Sequence, residues 1–304
     1  WATYQQQNSY FHPFYSDIDG ELAKSFFEQC NNRREGKPGL TNPDDYFVTS
    51  ALANNQKAPK SATDNLIYGY HFDAELLGRF LKQHAISLGV NHIDDSVIKT
   101  VVNRQGDIAI LQTEKHGPIR GDFFVDCSGF KGLLIQETLG ESLISYKDNL
   151  FNDSAVAIPT MHDTMDSLPC ETVSKALKFG WVWHIPLMNR VGNGYVYCSD
   201  YVSKEEAEQE LRDLLGDKAE GQSALHLHWQ PGRIEQHWKN NCVAIGLSQG
   251  FLEPLEAPML YVVQRSIEGF IEHFQKGGFT NEHRETFNGE INNIIDGTRD
   301  YLQT

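Results

Sequence analysis

Three observations predict a mixed α/β (α+β) protein built from two interleaved lobes. First, two short apolar runs, within Asp122–Gly129 and Cys242–Gly246, each lead into a small-residue turn, as buried parallel strands of a nucleotide-binding sheet do. Second, a block of strand-like runs lies between them, over about 154–238. Third, two helical patterns close the chain, at about 254–275 and 280–302. The chain therefore leaves a nucleotide-binding lobe (about 70–150), builds a β-rich lobe (about 151–239) and returns to the first (about 240–304).

The elements follow in order. Residues 1–70 are polar, aromatic and broken by Gly36, Pro38, Gly39 and Pro43, with helices at about 20–33 and 43–53. Asp73 reads as an N-cap, because Leu76, Leu77, Phe80, Leu81 and Ala85 then recur at helical spacing until Gly89. Val97–Val102 and Ile108–Thr113 alternate around a turn at Gln105-Gly106. Ala155–Met161, Trp181–Leu187 and Tyr195–Ser199 read as strands, and Lys204–Leu215 as an amphipathic helix. Leu225–Trp229, Arg233–Trp238 and Cys242–Gly246 read as strands again.

Composition excludes several classes. No run approaches the ~20 consecutive apolar residues of a membrane span. A net charge of −15 disfavours a nucleic-acid partner, which selects clustered Lys and Arg. The five cysteines, Cys30, Cys127, Cys170, Cys198 and Cys242, are odd in number and form no CxxC pair. A disulfide framework and a structural zinc site are thus not expected, and a reducing cytoplasm fits best. His226 with His228, and His162 with Asp163, lack the further ligands of a metal site. There is no GxSxG and no Walker motif. The chain starts at Trp1 without a leader, and Thr298–Thr304 reads as mid-helix, so both ends are expected to be cut.

Four stretches carry candidate chemistry, each with a plainer structural explanation beside it. In Gly246–Glu256 an apolar strand ends at Gly246, a loop passes Gly250 and Phe251, and Pro254 stands where a helix would start. The free N–H groups of such a start would stabilise an anion, yet ordinary strand–loop–helix turns look the same. Glu253 and Glu256 would share a face of that helix. Trp181 and Trp183 are two apart in a strand and project to one face, where two indoles either wall a planar ligand or fill a core. Ser128 and Gly129, after the Asp122–Gly129 run, allow close backbone approach to a ligand, although any α/β sheet makes such turns. His12 and Phe14, near Tyr4, Tyr10, Phe11 and Tyr15, could sandwich an aromatic ring or simply pack together.

Read together, these stretches resemble the flavin-dependent (tryptophan) halogenases. Gly180-Trp-Val-Trp-His-Ile-Pro186 fits the GWxWxIP signature of that family at every fixed position, and Phe251-Leu-Glu-Pro-Leu-Glu256 resembles its second signature. Tyr70-His-Phe-Asp73, Asp126-Cys-Ser-Gly-Phe130 and His12-Pro-Phe14 occur in the family's order. The resemblance implies an FAD-binding, Rossmann-like lobe of the flavin monooxygenase type, interleaved with a mixed or antiparallel β-sheet substrate lobe. It implies reduced FAD (FADH2), a separate flavin reductase, chloride or bromide, and an aromatic substrate such as tryptophan or another indole. In the implied reaction, halide attacks a flavin hydroperoxide and the hypohalous acid formed crosses a tunnel to the substrate. By the same resemblance Glu256 is catalytic, Trp181 and Trp183 shield the flavin side of the tunnel, and His12 and Phe14 flank the substrate. Ser128, Gly129, Gly246, Gly250, Phe251 and Pro254 would face the cofactor.

Two departures qualify this. No stretch of the 304 residues fits GxGxxG, the phosphate turn of the opening βαβ unit, and no lysine matches the family's catalytic lysine. The chain is therefore expected to be a fragment lacking the N-terminal unit and the C-terminal region, to bind FAD weakly and to be inactive alone. After Glu256 comes Ala257-Pro258-Met259, and Pro258 has no N–H to offer a halide. Two alternatives stay open: a flavin monooxygenase (hydroxylase) of the same fold, or a non-catalytic truncated binding module. Open sheet edges and an exposed apolar face would favour a homodimer.

Overall fold

The protein is described from a computed structural model, which covers residues 9, 11–59, 66–163 and 168–303. Tyr4 and Tyr10 of the predicted aromatic group lie outside the described residues. The architecture is mixed α/β, as the sequence predicts.

In chain order the elements are α1 (Gly20–Arg34), α2 (Val48–Asn54), α3 (Ala74–Ser87), β1 (Val97–Val102), β2 (Ile108–Thr113), β3 (Gly117–Ile119) and β4 (Phe124–Asp126). A π-helical segment, Leu133–Thr138, precedes β5 (Leu143–Ser145), β6 (Ser154–Thr160), β7 (Val173–Leu177), β8 (Gly180–Pro186), β9 (Val191–Tyr197) and α4 (Lys204–Leu215). Then come β10 (Leu225–His228), β11 (Gly232–Ile234), β12 (Trp238–Lys239), β13 (Cys242–Ala244), β14 (Gly250–Phe251), α5 (Met259–Lys276) and α6 (Arg284–Leu302). The strands form sheets β1-β2-β3, β10-β6-β9-β8-β7, β14-β11-β5 and β12-β13-β4. Among the described residues no helix is long and apolar enough to cross a membrane.

Local chemistry explains the boundaries. Asp73 caps α3, its Oδ1 accepting from the Glu75 and Leu76 N–H groups at 3.0 and 3.1 Å. Ser203 and Glu206 form a reciprocal capping box at the start of α4. Asn103 Oδ1 accepts from the Gln105 and Asp107 N–H groups, 2.9 Å each, and Gly106 takes φ +89°, which closes the β1–β2 hairpin. The predicted strand Arg233–Trp238 is instead two strands, β11 and β12. The run after Pro254 also differs. Pro254 opens only a 3-10 turn, Ala257 then turns left-handed at φ +49°, and α5 begins at Met259. Pro258 takes the cap of α5, where its missing N–H costs nothing.

The chain divides into two compact units, residues 1–82 with 159–173 and 183–193, and residues 83–158 with 174–182 and 194–304. In the second unit β4 and β13 pair in parallel, Val125 opposite Val243. The predicted parallel pairing is present, though Val125 on its outer face is half exposed. Asn241 locks this pair to β2: its Oδ1 accepts from Ile108 N–H at 2.8 Å and its Nδ2 donates to Ile108 C=O at 2.9 Å. Ile108, Phe124, Leu134, Ile135, Ile234, Cys242 and Ala244 fill the space between. A second core packs Trp238, Val243, Leu252 and Val262 against Phe287, Ile291 and Ile295 of α6. A third packs Val156, Ile158, Val182, Tyr195 and Tyr197 against Ala207 and Leu211 of α4.

In the first unit Phe26 of α1 packs edge-on to Phe47, and Asp19 Oδ1 accepts from Val48 N–H at 2.9 Å. The end of β8 is tied by polar contacts. His71 bridges Pro186 C=O and Thr172 Oγ1, and His162 Nε2 lies 2.6 Å from Leu187 C=O. The apolar positions of α3 are not buried, Leu76, Leu77, Phe80 and Leu81 all being exposed.

Candidate functional site

Two loops leave the parallel pair β4–β13, and the structure joins them. The buried Asp126 carboxylate organises the first loop: Oδ1 accepts from Ser128 N–H and Oγ–H, and Oδ2 from the Leu134 and Ile135 N–H groups at 2.8 Å. One carboxylate thus folds the Ser128-Gly129 turn and caps the π-helical segment. In the second loop Ser248 Oγ donates to Asp126 C=O at 2.5 Å, and Gln136 Nε2 donates to Ser248 C=O at 3.0 Å. Gly129 and Gly246 both adopt left-handed φ, +75° and +81°. A Cβ at Gly129 would meet nothing within 4 Å, so the backbone there lies open to a flat ligand.

Gly250 is needed for a different reason. A Cβ there would overlap Gly232 C=O and stand 2.7 Å from Arg233 Cα. This close pairing of β14 with β11 aims Phe251, whose ring meets Trp229 at 5.3 Å and Phe130 at 5.7 Å, both edge-on.

The turn that follows reaches Trp181. Glu253 is not on a helix with Glu256; it is the extended residue before the 3-10 turn Pro254–Glu256. Its Oε1 accepts from Trp181 Nε1–H at 2.7 Å and from Asn152 Nδ2–H at 2.7 Å. The first signature is therefore bonded to the second within one unit. Glu256 is exposed at the end of that turn. Its neighbour Ala257 spends its N–H on Pro254 C=O at 2.9 Å.

The remaining predicted residues fall in the other unit. Trp183 and Trp181 flank the buried Val182 on β8 and so share a strand face. His12 is exposed; Phe14 is half exposed, its ring lying against Gly69.

Burial perturbs two thiols just behind the loops. Burial pushes the Cys242 thiol up to about 12, with the Asp126 charge adding to the effect. Burial also raises the Cys127 thiol, again with help from Asp126. All five cysteines are free. Two open cavities, of about 620 and 420 Å³, lie elsewhere, against α1 and against β1, and no predicted site residue lines them. Sequence reasoning placed Glu253 beside Glu256 but missed its bonds to Trp181 and Asn152, and missed Trp229 and Phe130 as the rings around Phe251. For Asn152 no sequence signal exists, because its partner is 101 residues away.

Parallel strands that each lead into a glycine-bearing loop, and a separate five-stranded sheet that carries the two indoles on β8, define a mixed α/β protein. A family model described as tryptophan halogenase matches residues 1–304, and the chain belongs to that family. It is 41% identical over 262 residues to the 7-chloro-L-tryptophan 6-halogenase KtzR of Kutzneria sp. (strain 744), covering 85% of this chain and 51% of that protein. It is 37% identical over 267 residues to the tryptophan 7-halogenase RebH of Lentzea aerocolonigenes, covering 86% and 50%. The crystal structure of the tryptophan 6-halogenase SttH from Streptomyces toxytricini superposes with a TM-score of 0.80 at 40% identity, over 85% of this chain and 55% of that one. The chain spans about half the length of the curated relatives it matches.

Proposed function

We propose that this chain is part of an FAD-dependent halogenase acting on tryptophan or another electron-rich indole. The observation that carries the reading is the 2.7 Å bond between Trp181 and Glu253, which ties the GWxWxIP strand to the turn bearing Glu256. Family membership over residues 1–304, and relatives whose names are tryptophan halogenases, support the same activity.

FAD, when bound and reduced, supplies with O₂ the oxidising equivalent that turns halide into hypohalous acid. The residues present fit its ring end: Gly129, next to Ser128, offers open backbone, Gly246 turns the second loop left-handed, Gly250 aims Phe251, and Pro254 shapes the adjoining turn. The free N–H groups at the start of α5 place partial positive charge close to that turn. No GxGxxG occurs in these 304 residues, so this chain by itself holds FAD weakly. Trp181 and Trp183 present flat apolar rings that keep the substrate ring and water from the oxidant. Glu256 is the general base or hydrogen-bond acceptor at the reacting halogen species, and His12 and Phe14 flank the substrate ring. The nucleotide-binding lobe (about 70–150 and 240–304), the substrate lobe (about 151–239) and a separate flavin reductase belong to the same proposal. So do chloride or bromide as co-substrate and self-association through the exposed faces of α3 and β4.

The test is product mass. The native protein carrying this sequence is incubated with FAD, a flavin reductase, NADH, O₂, bromide and tryptophan. A brominated indole supports the reading. Oxygen insertion alone favours the hydroxylase, and no product in the presence of bound flavin counts against both.

A further inference from the structure

We infer that Glu253 is a positioning residue that sets the tilt of the Trp181 indole. The inference rests on the proposed role of Trp181 as a wall of the reaction site. A tryptophan ring on a strand turns about two side-chain bonds, and packing against one strand face leaves its plane unsettled. Here the single polar atom of the ring is captured: Nε1–H donates to Glu253 Oε1 at 2.7 Å. That oxygen is itself held, because Asn152 Nδ2–H donates to it at 2.7 Å from the loop before β6. No ion pair to Glu253 occurs among the described residues, so two neutral donors hold the carboxylate in place. Glu253 precedes the Pro254–Glu256 turn, and the same carboxylate therefore couples the angle of the indole to the placement of Glu256. A glutamine can present its carbonyl at Oε1 and keep both bonds; an alanine loses both.

The experiment reads the ring first and activity second. In the ¹⁵N-labelled chain, the Trp181 indole N–H resonance is assigned by its loss in Trp181→Phe. It should lie downfield, because its N–H donates to a carboxylate oxygen. In Glu253→Gln it should move only part of the way upfield, since the amide oxygen still accepts; in Glu253→Ala it should move fully upfield. A Trp181 resonance unmoved in Glu253→Ala overturns the inference. If the alanine variant does not fold, the glutamine variant decides: a resonance at the position of an unbonded, solvent-facing indole overturns it. In the native protein, Glu253→Ala should lower kcat about tenfold or more with little change in KM, and Glu253→Gln should recover most of it. Unchanged kcat in Glu253→Ala also overturns it. Absence of halogenation in the unmodified protein would instead remove the functional reading, leaving the resonance result to stand on its own.

Discussion

Gly180 stands so close to Val196 that a Cβ on the glycine would overlap the valine carbonyl oxygen and lie 3.0 Å from Tyr197 Cα. The first position of the GWxWxIP strand is thus fixed by β8 lying tight against β9. Gly180→Ala must spread the two strands that carry Val182 and Tyr195 in one core. We expect a loss of about 2–4 kcal/mol, read as a lowered urea midpoint. An alanine variant as stable as the parent would show that the strands separate freely.

Arg233 and Asp296 make the strongest link between β11 and α6, with the guanidinium Nε and Nη2 each 2.9 Å from a carboxylate oxygen. The Tyr146 hydroxyl donates to the same carboxylate. The Arg233 hydrogen bonds hold the Asp296 carboxyl below its usual range. Asp296→Ala leaves a mostly buried guanidinium unpaired and should cost about 3 kcal/mol in urea unfolding. Asp296→Asn should cost less, since the amide oxygen still accepts.

Acid should destabilise the fold through His237. Its ring is fully buried, with Nε2 against Asn292 Oδ1 at 3.1 Å, and desolvation lowers its pKa to about 3. The unfolded imidazole takes up a proton near 6.5, whereas the folded one does so only near 3. Between those values the unfolded state binds more protons, so stability falls as pH falls from about 6.5 toward 3. Unfolding free energy measured across that window should decline, and His237→Gln should flatten the decline.

Thiol labelling of the native chain should mark Cys127 and Cys170, which are exposed, and spare Cys198 and Cys242, which are buried. The Cys242 thiol, pushed up to about 12, gives almost no thiolate at neutral pH. Mass spectrometry after brief maleimide treatment, with and without urea, checks this.

Much of the framework was legible because local chemistry decided it. The Asp73 cap, the Gln105-Gly106 hairpin and the Lys204–Leu215 helix follow from residues a few positions apart, and the structure places them as read. The start of the last helix pair was misread at Pro254. Two prolines compete there, and only the left-handed turn at Ala257 shows that Pro258 is the cap. The two signatures were legible as motifs, but the bond joining them was not. Trp181 and Glu253 are 72 residues apart, and nothing in either stretch tells which of two glutamates faces the indole.

In the proposed reaction Glu256 acts on the aromatic substrate while the flavin side makes the halogenating species. A two-channel assay of Glu256→Gln in the native protein, with bromide, FAD, reductase and O₂, separates the two. One channel follows bromination of tryptophan and the other a small-molecule scavenger of hypohalous acid. We predict that scavenger bromination persists while tryptophan bromination falls by about a hundredfold or more. Tryptophan bromination that survives the substitution unchanged would rule out this role for Glu256.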